Sequence, residues 1–423
     1  MNVLLTAVGS AGDINPFIAL GSALRQRGHR ATLLAAACFG PQALAAGLDF
    51  LPLGGRPDLT AFSRRRVSIL LHPRLGHRHF WKELVLPSVR PLVEALEGAV
   101  HSGRPDVVVY HPASFGARWV CHRRGLPTAL GALSPLVWMS SRDGSVHARS
   151  LVHRRPPRWV LWSFLRLAHP LARLTIDPDL NAVRRGCGFP PGHDLFFDHA
   201  FGCDLNLGLW SRVFRGPMPD DPPNGRICGF TWYDRGHHVQ HTDGELERFL
   251  EAGPPPIVFT LGTTVVAVAG SFYAHAAEAC RRLGRRGVLL TGSDENLPRR
   301  LPAGVRAFRY APFAALLPRA CAIVHHGGIG TTAQALRSGH PTVVIPCAFD
   351  QFDNAERVRR LGVSLTLART HVTPATLAAA VRRVLENPAV IDRARRVGAA
   401  VAADDGAMIA ATALEELVAS RGG

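Results

Sequence analysis

Cys321-Ala322-Ile323-Val324 runs into His325-His326-Gly327-Gly328-Ile329-Gly330-Thr331-Thr332, and this join of an apolar run to a glycine turn decides the fold. The four apolar residues read as a short, buried parallel strand. The glycines let the backbone approach a ligand closely, and the two threonines open a helical stretch expected from Ala333 to Ser338. Such a turn sets free N–H groups and the positive end of a helix dipole beside an anion, most simply a diphosphate. A second apolar strand, Thr342-Val343-Val344-Ile345-Pro346, delivers Asp350 and Gln351 beyond its C-terminal end, where open α/β sheets bind ligands. An anion cradle beside an acid–amide pair able to read hydroxyls points to a nucleotide sugar.

The same rhythm extends outward. Val3 to Val8 is an apolar strand, Gly9-Ser10-Ala11-Gly12-Asp13 a small-residue turn, Phe17 to Arg27 a helix closed by Gly28, and Ala31 to Ala36 the next strand. Asp106 to Tyr110, Ala113 to Arg124 and Thr128 to Leu130 repeat it, and Ile257 to Thr260 starts a second series. Strands alternating with helices imply parallel, doubly wound sheets. Between the two series, Arg215 to His241 is rich in proline and reads as a connection. The chain then divides into an N-terminal α/β domain, 1–225, a linker, 226–250, a C-terminal α/β domain, 251–403, and a terminal helix, 404–423, expected to pack back on the N-terminal domain. Two such halves leave a cleft between them.

At 423 residues the chain is too long for one ordinary core, and 47% hydrophobic with 19% charged residues describes a folded globular protein. The formal charge of +17 favours anionic partners, but Lys82 is the single lysine beside a host of arginines, a compositional bias that weakens charge as a functional signal. No RNA-binding signature accompanies it, so nucleic acid is not an expected partner. Eight cysteines without CxxC pairs point to reduced thiols and a cytoplasmic location. No basic leader with a cleavage site opens the chain, and no uncharged apolar run of about 18 residues is present to span a membrane.

Each candidate residue has a plainer alternative. Gly9 to Gly12 is spaced GxxG, and Ala35, Ala36 and Ala37 stand where a dinucleotide fold needs an acid, so a nicotinamide enzyme is a poor expectation. Asp13 either takes a proton from an incoming hydroxyl or merely caps a helix at Pro16. His325 and His326, as strand neighbours, point apart and do not share a metal, while one histidine beside a diphosphate would donate a hydrogen bond and add charge. His237, His238 and His241 lie in the linker and read as bland. Thr263, after Gly262, offers a second phosphate contact. Asp350 is a sugar reader or a helix cap. Phe80, Trp81, Trp138, Trp162 and Phe196 could line an apolar acceptor pocket. Arg154 to Arg173 mixes Arg with Trp, Phe and Leu, as either a packed helix with a solvated Arg face or a basic element touching a membrane.

Together these residues resemble the family 1 glycosyltransferases, the UDP-glycosyltransferase superfamily with its GT-B fold of two Rossmann-like domains whose parallel sheets face across a cleft. The Gly-Ser-x-Gly-Asp-x-x-Pro opening and the region Arg309–Gly362 are most similar to the bacterial branch with antibiotic and sterol glycosyltransferases and the rhamnolipid rhamnosyltransferase. The resemblance implies a donor site of Gly12, Thr263, Tyr310, His325, His326, Gly327, Gly328, Gly330, Thr331, Gln334, Asp350 and Gln351, with Tyr310 stacking on the nucleobase. Gln334 stands where many relatives carry a ribose-binding glutamate, which leaves UDP against dTDP open. Asp13 replaces the usual histidine as base. The implied reaction is metal-independent, cofactor-free, inverting transfer of a hexose from a UDP- or dTDP-sugar to a hydroxyl of a lipophilic acceptor, in the cytoplasm or peripherally at the inner membrane face. A GT-B sugar-nucleotide epimerase, or a non-catalytic donor-binding subunit, are the alternative readings.

Overall fold

Nearly uninterrupted apolar strands build two all-parallel sheets, seen in a computed structural model that describes residues 1–55, 63–72, 75–143, 158–233 and 244–422. The first contains β1 (Asn2–Thr6), β2 (Arg30–Ala36), β3 (Asp49–Leu53), β4 (Val107–Tyr110), β5 (Thr128–Ala132), β6 (Leu205–Gly208) and β7 (Gly225–Ile227), in spatial order β3-β2-β1-β4-β5-β6-β7. The second contains β8 (Ile257–Thr260), β9 (Gly287–Leu290), β10 (Val305–Phe308), β11 (Ala322–His325), β12 (Thr342–Val344) and β13 (Ser364–Thr366), in order β10-β9-β8-β11-β12-β13. The first six strands of each sheet thus follow one order. Central strands such as Val107–Tyr110 are buried on both faces because helices cover both sides, which is why they lack alternation.

In each sheet the order reverses once, between β1 and β4 and between β8 and β11. Register pairs Thr6 with Tyr110 and Thr260 with His325. The loops after those strands therefore emerge side by side, in the crevice where doubly wound sheets bind ligands.

Several elements differ from the sequence reading. The first helix spans Ala11–Gln26, six residues earlier than expected, because Ser10 and Asp13 cap it and Pro16 is tolerated near its start. The helix expected from Ala333 begins at Ile329. The proline-rich connection contains β7, and Glu245–Glu251 is a helix whose Leu246 and Leu250 enter the core of the second sheet. One stretch, 388–421, is long and apolar enough by composition to cross a membrane. It consists of two helices, Pro388–Ala402 and Gly406–Gly422, and its Val401, Ala410, Ala411 and Leu414 are fully buried. The second of these helices lies on the first lobe, where Glu415 pairs with Arg27 at 2.5 Å and His29 at 2.6 Å.

A buried ion cluster joins the lobes. Asp143 of the first lobe meets Arg357 (2.5 Å), Arg360 (3.5 Å) and Arg215 (3.6 Å), and Asp353 holds Arg357 at 2.6 Å. Arg357 and Arg215 side chains are 2% and 1% exposed, so every charge here depends on its partners.

Candidate active site at the facing switch points

On the first lobe, the turn after β1 aims a carboxylate. Gly9 has φ +145, and a Cβ there would collide with the Asp13 carboxylate, so glycine is what lets that side chain fold back over the turn. Asp13 Oδ2 accepts from the Ser10 backbone N–H at 2.7 Å and from the Ser10 hydroxyl at 2.9 Å. Asp13 is therefore a cap, closing the N-terminus of its own helix three residues before Pro16. Gly12 occupies the same first turn.

That leaves Oδ1, which faces His111 Nε2 at 3.6 Å, an electrostatic contact slightly longer than a hydrogen bond. His111 is the first residue beyond β4 and is buried. The Ala113 N–H donates to His111 Nδ1 at 3.1 Å, which puts the proton of the neutral ring on Nε2, toward Asp13. Burial lowers the His111 pKa, opposed by the Asp13 charge. The sequence reading overlooked His111. Its only local mark is a histidine directly after an apolar strand, and nothing local says that β4 neighbours β1. Asp106, the acid at the other end of this strand, bonds the Asn2 N–H at 2.7 Å, far from the site.

On the second lobe, the turn after β11 leads into the helix Ile329–Arg337. Its N-cap is Gly328, and among the described residues no side chain caps it. The N–H groups of Ile329, Gly330 and Thr331 are thus available to an anion. His326 is buried, and Gly262, at φ +65, backs onto its ring so closely that a Cβ would overlap it. This brings the turn carrying Thr263, which is exposed, against the glycine turn after β11. His326 Nδ1 is buried without a partner, and burial pushes its pKa down to about 4. Burial thus favours the neutral ring, which can contribute a hydrogen bond.

His325 also departs from its expected role. It is fully buried, accepts the Gly327 N–H on Nδ1 at 3.2 Å, and is held down to about 3 by burial. It shapes the turn instead of meeting a ligand. Gln334 sits half-buried on the following helix, and Tyr310 half-buried just past β10 at the same end of the sheet.

Asp350 is the N-cap residue of the helix Gln351–Arg360, and Phe349 before it has φ +54, a strained conformation for a bulky residue. Burial pushes the Asp350 carboxyl up to about 7, against the Asn354 hydrogen bond and reinforced by the charges of Asp13 and Asp353. The Ser134–Asn354 contact sets the Asp350 helix against the first lobe, the side from which the Asp13 charge acts on it. Gln351 Oε1 accepts the N–H groups of Cys347 (2.9 Å) and Ala348 (3.1 Å), so its carbonyl fixes the loop and its amide nitrogen is what can meet a hydroxyl. Asn354, not foreseen, donates to Asp350 Oδ2 (2.8 Å) and to the Gly327 carbonyl (2.9 Å), and the Ser134 hydroxyl lies 3.5 Å from its Oδ1. It ties Asp350, the glycine turn after β11 and the opposite lobe together.

The expected acceptor aromatics separate into two groups. Phe80 approaches Phe349 (5.3 Å between rings), Trp81 stands edge-on to Phe115 (5.2 Å), and Phe196 stacks on Phe115 (6.0 Å), forming an aromatic layer beside the cleft. Trp81 belongs to a π-helical turn, Trp81–Val85, a distortion that recurs at functional sites. Trp138 instead packs on Trp210 in the core, and Trp162 is on the outer surface, so neither lines a pocket. Among the described residues no His, Cys, Asp and Glu cluster suits a metal ion, and His237, His238 and His241 lie outside the described residues.

Two Rossmann-type sheets meeting at their switch points, an open helix N-terminus on one and an aimed carboxylate on the other, define the GT-B class of sugar-transferring enzymes. Residues 288–417 match the Erythromycin biosynthesis protein CIII-like, C-terminal domain, and residues 3–84 the Glycosyltransferase family 28 N-terminal domain. The chain is 32% identical to O-mycaminosyltylonolide 6-deoxyallosyltransferase of Streptomyces fradiae, over 100% of this chain and 98% of that protein. It is 26% identical to a sterol 3-beta-glucosyltransferase of Arabidopsis thaliana, over 86% of this chain and 59% of that longer protein. The glycosyltransferase VinC in complex with dTDP has the same fold, with TM-score 0.70 and 20% identity over 99% of this chain and 100% of that one. The chain belongs to the family 1 glycosyltransferases, of the antibiotic type, and acts on sugar-nucleotide donors.

Proposed function

We propose that this enzyme transfers a hexose from a UDP- or dTDP-sugar to a hydroxyl of a lipophilic acceptor, with inversion at the anomeric carbon and Asp13 as general base. The observation that carries this reading is the facing of Asp13, from one lobe, and the Asp350–His326 loops, from the other. The acceptor oxygen attacks C1 of the sugar from the first-lobe side as Asp13 Oδ1 takes its proton. The C1–O bond to the diphosphate breaks, and its electron pair leaves with the nucleoside diphosphate. Attack and departure on opposite faces invert the centre. His111 is a positioning residue: its Nε2–H steers Oδ1, while Ser10 immobilises Oδ2.

Charge growing on the leaving diphosphate meets the open N-terminus of the helix Ile329–Arg337, the Thr263 hydroxyl and the His326 N–H, a preorganised set that stabilises the transition state without metal or cofactor. Asp350 and the Gln351 amide nitrogen hold sugar hydroxyls, Gly12 borders the sugar, and Tyr310 and Gln334 lie toward the nucleoside. The aromatic layer of Phe80, Phe349 and Phe115 favours an apolar acceptor, in keeping with a relative named for sterol glucosylation. A cytoplasmic setting supplies the nucleotide sugar.

Asp13→Asn is the discriminating variant, because an asparagine oxygen still accepts from Ser10 and preserves the cap. Turnover should fall by about two to four orders of magnitude, with calorimetric affinity for UDP or dTDP unchanged. Turnover near the wild-type rate would remove Asp13 from the mechanism.

A further inference from the structure

Five of the ten large hydrophobic side chains exposed among the described residues sit on one helix, Arg158–Thr175, far more than scattered surface apolars require. They are Trp159 (70% exposed), Trp162 (52%), Leu167 (66%), Leu171 (57%) and Leu174 (77%). At 100° per residue, Trp159, Leu167, Leu171 and Leu174 share one outward face, with Trp162 and Arg166 at its border. Arg166 lies over the Trp162 ring at 4.5 Å, and Arg173 shares that border seven residues on. The helix anchors itself by its other side: Ala172 is buried, and His169 stacks on Phe197 at 3.7 Å while bonding Asp194 at 2.9 Å.

Charge decides what such a face meets. The helix carries no acidic residue of its own, whereas Arg166 and Arg173 flank its apolar face. An apolar stripe with tryptophans, bordered by Arg166 and by Arg173, which also lies 3.5 Å from Asp194, fits the boundary between anionic headgroups and acyl chains. A protein partner or second copy would have no such need of a continuous acid-free stretch. Behind the helix, Phe197 touches Phe196, Phe196 stacks on Phe115, and Phe115 lies four residues past His111, so the exposed face backs directly onto the aromatic layer of the site.

We propose that the outer face of the helix Arg158–Thr175 docks this enzyme on an anionic lipid surface. The docking does not depend on the identity of the acceptor or of the base. It is tested by sedimenting the full chain with phosphatidylcholine vesicles with and without phosphatidylglycerol, alongside the double variant Leu167→Glu/Leu174→Glu. Wild type should partition to the anionic vesicles, with blue-shifted tryptophan emission that brominated acyl chains quench, and high salt should weaken it. The double variant should bind about tenfold or more weakly, having lost two buried leucines and gained two like charges to the lipid. Because both leucines are exposed, its thermal midpoint serves as the folding control; if it does melt early, loss of quenching in Trp159→Phe/Trp162→Phe replaces it as the readout. Absence of binding to anionic vesicles, or binding that neither variant alters, overturns the proposal. So does a dimer, seen by light scattering, that the leucine variant dissolves and vesicles do not displace.

Discussion

The two switch points occupy the same place in sheets of the same strand order, yet they treat a helix N-terminus in opposite ways. After β1, the helix is closed by its own sequence: Ser10 and Asp13 satisfy its first turn. After β11, the helix opens on Gly328, and nothing among the described residues caps it. A capped terminus presents a side chain, and an uncapped one presents backbone N–H groups and a dipole. One fold thus makes an aimed carboxylate and an open helix N-terminus from the same geometry. The fold supplies the location, and the residue at the cap supplies the chemistry.

The largest way to break this comparison is to release the two termini from each other. Asp143→Ala leaves buried Arg357 with Asp353 and buried Arg215 with Asp221. It should cost about 1–3 kcal/mol of stability, read from denaturant unfolding, and no measurable loss would mean that water or the remaining carboxylates make good the change.

A smaller change probes the open terminus alone. If His326 holds the diphosphate as proposed, His326→Ala should weaken UDP or dTDP binding by about tenfold to a hundredfold, without touching Asp13. Unchanged calorimetric affinity would show that backbone N–H groups suffice.

The smallest effect sharpens the claim that the termini face one another. Asp350 should titrate near 7 by carbon NMR, and its midpoint should fall in Asp13→Asn because one repelling charge is gone. Asp350 is raised on folding, so its share of stability is fully present below its unfolded value near 4 and lost as pH rises toward about 7. Asp350→Asn should therefore flatten the stability profile across that window. A midpoint indifferent to Asp13 would separate the two carboxylates.

Much of this was legible in the chain itself. A run of apolar residues ending in small ones, as at Val324 to Gly330 or Leu5 to Gly12, marks a strand delivering a turn, and repetition of that pattern marks parallel sheets. Asp13, His326 and Asp350 each stood at such a strand end. Identical local signals misled where burial intervened: His325 looks like His326 in sequence, and only its position inside the strand commits it to the Gly327 N–H. Trp138 and Trp162 look alike as apolar candidates, and packing sends one to the core and the other to the surface.

The sequence by itself determined the alternation of strands and helices, the glycine turns and the residue types at their ends, because these depend on neighbours along the chain. Tertiary structure alone decided that His111 meets Asp13, that Asn354 binds Gly327 and Asp350, and that Asp143 neutralises arginines more than two hundred residues away on the other lobe. Those pairings follow from strand order and lobe contact. Coulomb and hydrogen-bond forces act over a few ångströms of space, whatever the distance along the chain.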